Sequence, residues 1–215
     1  MKTDELIEAL ARTPETATPD RLYRRLALAL IVGLFLGLVL LRVFMGFRPD
    51  IGVAAPLVAM KAGFSAFIAT FAGGLALRLA KPISGATGTI RRLATPLGLV
   101  ILSAIAIGLI ALMATEPGYR FAAFAAGGFP WCVILIPVCG LPTALLLVWA
   151  MREAAPTRLA LAGAAIGALS GGVGAMVYAL FCSVDSVAFV TIWYVAGIGF
   201  AAAIGAMVGG RLLRW

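Results

Sequence analysis

A chain of 215 residues that is 63% hydrophobic and only 12% charged stands far from the roughly 25% charged residues of an average soluble domain. It contains no histidine, which excludes histidine metal sites, histidine general bases and histidine proton relays, and its three cysteines cannot all pair within one chain. The net charge of +8 fits membrane orientation better than nucleic-acid binding, because apolar runs recur at about the ~20 residues that a bilayer-spanning helix needs.

Residues 1–21 read as a cytoplasmic tail. Up to Asp20 it holds five of the nine acidic residues (Asp4, Glu5, Glu8, Glu15 and Asp20) against only Lys2 and Arg12. Thr3 or Asp4 can cap a short helix running to about Arg12, with acids in the first turn where the helix dipole favours them. Leu6, Ile7 and Leu10 share one face of it, flanked by Asp4, Glu5 and Glu8. Isolated helices below ~12–15 residues are marginal in water. The segment is therefore either a frayed tail or one that folds on a basic partner with an apolar groove. The run Thr13-Pro-Glu-Thr-Ala-Thr-Pro19 acts as a linker. Polar residues precede the first apolar run and further spans follow it, so that run does not read as a cleavable signal peptide.

Residues 22–215 read as six spans. The first runs from about Leu26 to Met45 behind the basic group Arg21, Arg24 and Arg25, and carries Gly33-x3-Gly37, a spacing that permits close helix approach. A second span beginning at Ile51 would place Lys61 roughly 15 Å deep. A start near Met60 is the cheaper reading; it leaves Lys61 at the interface and Ile51 to Ala59 as a shallow surface segment. The third span covers about Pro96 to Thr115, and the fourth, from about Phe129 to Trp149, includes Pro130, Pro137 and Pro142. Span five ends near Phe181 and carries Gly163-x3-Gly167-x3-Gly171; span six carries Gly197-x3-Ala201-x3-Gly205-x3-Gly209. Two small-residue seams on adjacent helices predict close packing of spans five and six.

Six spans put both termini on one side. That side holds thirteen Lys and Arg (Lys2, Arg12, Arg21, Arg24, Arg25, Arg78, Lys81, Arg91, Arg92, Arg152, Arg158, Arg211 and Arg214). The other holds four (Arg42, Arg48, Lys61 and Arg120), which orients both termini to the cytoplasm. The fold class is thus all-α: a polytopic membrane helix bundle of six transmembrane helices.

Under this topology Cys132 opens span four and Cys182 closes span five, both at the outer face, with Tyr178, Phe181, Phe189, Trp193 and Tyr194 crowding the corner around Cys182. Tyr and Trp favour the lipid–water boundary, so Cys182 is placed at the membrane surface, where a thiol can meet ions and oxidants. Cys139 lies seven residues along from Cys132, roughly 10 Å at the helical rise, beyond the ~7 Å that a disulfide spans. Cys139 therefore reads as a small buried hydrophobe. Cys132 and Cys182 could oxidise to a disulfide, or their thiolates, joined by Asp185, could capture a soft metal ion. Four ligands for a structural zinc site are not available, and neither a Cys-x2-Cys pair nor a phosphate loop supports catalysis. No constitutive cofactor is implied; a soft heavy-metal ion would be a transient ligand.

Several stretches carry a family resemblance: Lys2-Thr-Asp-Glu-Leu-Ile-Glu-Ala-Leu10, Trp131-Cys132, Ala155-Pro156-Thr157 and Tyr178-Ala-Leu-Phe-Cys182. Asp185-Ser186, Phe189, Trp193-Tyr194 and Leu213-Arg214-Trp215 extend it over essentially the whole chain, which resembles the NrsF-type anti-sigma factors. The resemblance implies a non-enzymatic inner-membrane protein whose cytoplasmic tail, through Asp4, Glu5, Leu6, Ile7, Glu8 and Leu10, holds an extracytoplasmic-function sigma factor. It implies that the two outer cysteines, Cys132 and Cys182, sense heavy-metal or oxidant stress and cause release. The partners are then that sigma factor and membrane lipids, with no direct contact to nucleic acid. Phe181 departs from the family, whose members often carry histidine there, and favours thiol redox or two-thiolate capture over histidine-assisted ligation. The rival readings are a membrane thiol oxidoreductase, which would need a second cysteine pair, and a small transporter. The switch expected from the sequence brings Cys132 and Cys182 together, bends the proline-containing span four, and passes motion through the Arg152 to Arg158 loop to the tail.

Overall fold

The computed structural model describes residues 19–80, 87–125, 131–152, 154 and 156–213. The tail helix expected from Thr3 to Arg12, and with it Asp4, Glu5, Leu6, Ile7, Glu8 and Leu10, falls outside them. Among the described residues, stretches without period-two alternation form seven α-helices: α1 Pro19–Phe44, α2 Ala55–Leu79, α3 Thr87–Ala114, the short α4 Arg120–Ala125, α5 Cys132–Arg152, α6 Leu159–Tyr178 and α7 Val187–Leu212. All but α4 are long and apolar enough to cross a bilayer, and no strand occurs among the described residues. Large side chains such as Ile31, Phe35, Leu102 and Leu145 point outward, as a surface that meets lipid requires. The chain is a multi-pass membrane bundle.

α6 is its axis. The apolar window of α6 is 72% buried, against 11–39% for the other five spans. It packs most extensively on α7, then on α5 and α2, while α1 lies along α5 and α3 along α7. Glycine makes this possible by removing the side chain where two backbones meet. A Cβ on Gly163 would strike the Gly205 carbonyl, one on Gly167 the Ala201 carbonyl, and one on Gly174 the Ile136 carbonyl of α5. The two seams read from the sequence thus face each other. Gly167→Leu is expected to lower the thermal midpoint of the purified protein sharply, because backbone on the facing helix cannot yield without separating α6 from α7; overpacking typically costs ~1–3 kcal/mol. Gly199→Ala, where an added Cβ meets nothing within 4 Å, serves as the control and should leave the midpoint unchanged or slightly raised.

Two buried apolar clusters mark the two ends of the bundle. One gathers Leu26, Leu79, Leu147, Met151 and Leu213; the other gathers Leu41, Cys132, Tyr178, Cys182, Phe189 and Tyr194. The start of α1 and the end of α7 therefore share one end, and the thiols occupy the opposite one.

The span boundaries differ from expectation in informative places. α1 starts seven residues earlier than Leu26, so Arg21, Arg24 and Arg25 ride on its first turns. Span two begins at Ala55, not near Met60, and Lys61 lies inside the helix, enclosed by protein groups. Ile51 to Ala54 are only a turn. α5 begins at Cys132 and keeps Pro137 and Pro142 inside it, whereas Pro130 falls outside the described residues. α3 extends back to Thr87, which places Pro96 inside the helix instead of at its start.

Candidate functional site

After α6 ends at Tyr178, the segment 179–186 turns back without regular structure before α7 starts at Val187. That leaves the carbonyls at the C-terminal end of α6 and along the turn in need of donors. Two cations from the α1–α2 hairpin supply them. Lys61 Nζ donates to the Val184 carbonyl at 2.7 Å and the Cys182 carbonyl at 3.1 Å, and pairs with Asp185 Oδ1 at 2.6 Å. An ammonium has three donors, so Lys61 is saturated, which is how a fully enclosed charge is tolerated at this depth.

Arg48, in the loop after α1, uses all five of its donors. Nε and Nη2 bind the two oxygens of Asp50, both at 2.8 Å. Nη1 and Nη2 bind Asp185 at 3.1 and 3.0 Å, and Nη1 also reaches the Cys182 carbonyl at 3.2 Å. The Arg48 backbone N–H adds a bond to the Leu180 carbonyl at 3.0 Å. Two cations and two carboxylates make a neutral cluster. Hydrogen bonds to Asp50 and Asp185 push Arg48 above the usual guanidinium range, and Arg48 in turn holds Asp50 below the usual carboxylate range. Asp185 is depressed to about 2, first by Arg48 and then by Lys61, against the opposing effect of its burial.

A carboxylate with a depressed folded-state pKa lends stability above its unfolded pKa and loses it as pH falls through the folded value. The contribution of Asp185 is therefore complete above about pH 4 and lost only as pH falls towards about 2. Thermal midpoints of the native chain and of Asp185→Asn should differ most above pH 4 and converge in strong acid. A gap that widens on acidification would contradict the ion-pair account.

The thiols lie beneath this cluster. Cys132, at the head of α5, and Cys182 are neighbours whose side chains interact, so the structure brings together the two cysteines that the sequence placed at matching depth. Both are free thiols, and both are buried rather than laid open on the surface, at 1% and 4% exposure. Cys182 is drawn down to about 6, chiefly by its hydrogen bond with Cys132; burial opposes this, while the Lys61 charge and the Tyr194 hydroxyl assist. That direction favours the nucleophilic and metal-binding form of the Cys182 thiol. Cys139 is also buried, farther along α5, with its carbonyl against Gly37 of α1.

Two tyrosines complete the enclosure. The Tyr178 hydroxyl and the Cys132 sulfur are 3.5 Å apart. The Tyr194 hydroxyl is fully buried without a conventional hydrogen-bond partner and faces Cys182. The rings stand 6.0 Å apart. Tyr178, Phe189 and Tyr194 thus turn inward onto the thiols and are not spread along the lipid–water boundary, while Trp193 does meet an edge: its indole N–H donates to the Phe124 carbonyl of α4 at 2.7 Å. Asp185, read from the sequence as a third ligand beside the thiols, has its oxygens engaged by Arg48 and Lys61. Among the described residues no group of three or more Cys, Asp or Glu side chains is placed to hold a metal ion. What the arrangement offers is two adjacent thiols, which can join in a disulfide or bind a two-coordinate soft ion.

Arg48 and Lys61 were not singled out as site residues from the sequence. The available signal was Lys61 itself, a cation within an apolar run, which demands a buried carboxylate somewhere in the fold.

Comparison with known proteins agrees with the resemblance seen in the sequence. The family described as "Negative regulator of sigma F" (NrsF) matches residues 10–215. The chain is 38% identical over 221 residues to the Anti-sigma-F factor NrsF of Caulobacter vibrioides (strain NA1000 / CB15N), covering 100% of both chains. It is 33% identical over 217 residues to the Probable anti-sigma-F factor NrsF of Azospira oryzae (strain ATCC BAA-33 / DSM 13638 / PS), again covering 100% of both. No solved structure matches the chain.

Proposed function

The chain belongs to the NrsF family of negative regulators of sigma F, which makes it a regulator and not an enzyme, and on that premise we propose that it is an inner-membrane anti-sigma factor whose thiol pair controls release of its sigma factor. The partner in this reading is a sigma factor of the extracytoplasmic-function class. It is held by the N-terminal tail through Leu6, Ile7 and Leu10, with Asp4, Glu5 and Glu8 steering towards a basic surface. Both termini are cytoplasmic, a placement supported by thirteen Lys and Arg on the terminal side against four on the other. The thiol end then faces the periplasm.

The observation that carries the sensing half is the juxtaposition of Cys132, at the head of α5, with Cys182, in the turn between α6 and α7. An oxidant of the peroxide or disulfide class would take two electrons and two protons from the pair and leave a Cys132–Cys182 disulfide. A thiophilic heavy-metal ion would instead displace the thiol protons and bind both sulfurs. Either change replaces a hydrogen-bonded contact with bonds of fixed length.

The test uses the full chain in membranes with its co-expressed sigma factor. The sigma factor should co-purify with the untreated protein and be lost after exposure to cadmium or to diamide, the two arms separating metal from oxidant. Failure to retain any sigma factor would remove the anti-sigma reading, whereas retention unchanged by both reagents would remove only the sensing half.

A further inference from the structure

Each of the two thiols is held by a different part of the bundle, and α1 touches both parts. Along its length α1 is notched into α5, the helix that carries Cys132. A Cβ on Gly33 would lie 2.6 Å from Thr143 Cα, and one on Gly37 would lie 2.8 Å from the Cys139 carbonyl. At its far end α1 leads into the clamp on the Cys182 segment. Gly46, at φ +80°, ends the helix, with its N–H and that of Met45 both returning to the Leu41 carbonyl, and Arg48 follows two residues later. Arg48 then holds the Leu180 carbonyl, the Cys182 carbonyl and both oxygens of Asp185. The connection between helix and clamp is therefore short and capped, and its arginine has no free donor with which to slip. From the clamp, α1 runs 26 residues, about 39 Å at ~1.5 Å per residue, to Pro19, where the N-terminal segment begins.

We propose that Arg48 is the coupling residue of this protein, clamping the Cys182 segment to the foot of α1 so that a change at the Cys132–Cys182 pair is delivered along α1 to the N-terminal segment. This rests on the reading that the thiol pair is the sensor and the tail the inhibitory element. A disulfide draws the Cys182 segment towards α5, whereas a two-coordinate metal ion sets the two sulfurs at its own wider spacing; either one moves the Cys182 segment relative to α5. Arg48 must follow through its six bonds to that segment and to Asp50, and α1 is then sheared along its glycine notches on α5. Packed helices respond to such a load by shifting as units rather than by deforming. Lys61 acts in parallel as a positioning residue, since it fixes the same Cys182 carbonyl from α2. The route differs from one through α5 and the Arg152 to Arg158 loop in using the helix that directly continues into the tail.

The experiment measures two things on the full-length chain in membrane vesicles with its sigma factor, using mercuric chloride or diamide as the thiol reagents. Protection of Cys132 and Cys182 from maleimide added after denaturation reports modification of the pair, since both thiols are buried in the folded chain. The ratio of sigma factor bound before and after treatment reports coupling. Native protein should show both protection and a large ratio, within the about 5–150-fold span of allosteric effects. Arg48→Gln should keep the protection while the ratio collapses towards one. Arg48→Lys retains the charge but not the fork, folds with the least disturbance, and should give an intermediate ratio. Unimpaired ratios in both variants would overturn the assignment of Arg48 while leaving the thiol sensor standing. Native protein whose thiols become protected without any loss of sigma factor would overturn the sensor reading and the coupling together.

Discussion

Replacing either Cys132 or Cys182 by serine abolishes the response to metal and oxidant, and replacing both adds little more: this is the expected result with the largest effect on signalling. The two thiols are interacting neighbours, so they act as one unit, and changes within one unit are not additive. Serine is close in volume and can hydrogen-bond to Tyr178 and Tyr194, so the packing at this end of the bundle survives. What it cannot do is close a disulfide or bind a soft ion as thiolate. A hundred-fold response needs a coupling of only ~2.7 kcal/mol, within the reach of a covalent or metal–thiolate link between two spans. Cys132→Ala carries a second signature, because alanine offers no donor where serine keeps one. The hydrogen bond from Cys132 is the main influence lowering Cys182, so its loss raises Cys182 and shifts the midpoint of its alkylation rate to higher pH. Cys139→Ser is the control: that sulfur lies elsewhere on α5, and its replacement should cost some stability but no response. Normal responses in both Cys132→Ser and Cys182→Ser would move the sensor to another part of the chain.

The parts of this site that depend on helix periodicity were legible in the sequence. Glycine or alanine at every fourth residue on α6 and α7 specifies a seam, because small residues at that spacing share one face, and the seams do meet at Gly163–Gly205 and Gly167–Ala201. Equal depth for Cys132 and Cys182 follows from counting residues along antiparallel neighbours. The chemistry around the thiols depends instead on contacts between residues far apart in the chain. Lys61 looked costly within a span and was assigned to an interface, because its acceptors lie 121 and 123 residues later. Once Val184, Cys182 and Asp185 surround it, burial is tolerated and the helix starts at Ala55. Asp185 looked like a ligand for want of any other visible role, and Arg48 and Lys61 supply one. Tyr178 and Tyr194 follow the boundary preference of tyrosine only on average. Here a thiol at 3.5 Å from the Tyr178 hydroxyl offers an inward polar partner, and the rings turn to it.

The second large effect belongs to the N-terminal tail. The double change Leu6→Asp, Leu10→Asp is expected to free the sigma factor while the protein continues to accumulate in the membrane. On a helix, Leu6 and Leu10 are one turn apart on the same face, with Ile7 beside them, so two of three apolar anchors are lost together. Burying such a side chain contributes ~1.5–3 kcal/mol, and each ~1.4 kcal/mol is ten-fold in affinity, so the pair accounts for at least about a hundred-fold. A carboxylate forced against an apolar groove adds a desolvation penalty of its own. Leu6 and Leu10 precede α1 in the chain and belong to none of the six spans, so the spans should assemble as before, and thermal midpoints of native and variant protein should agree. Glu8→Lys separates steering from anchoring. Reversal of a rim charge slows association and alters its salt dependence more than it weakens the complex, whereas the double leucine change acts chiefly on dissociation. Co-purification of the sigma factor with the double variant at the native level, or target genes that stay silent while the variant is present in the membrane, would show that the inhibitory surface lies on the bundle and not on the tail.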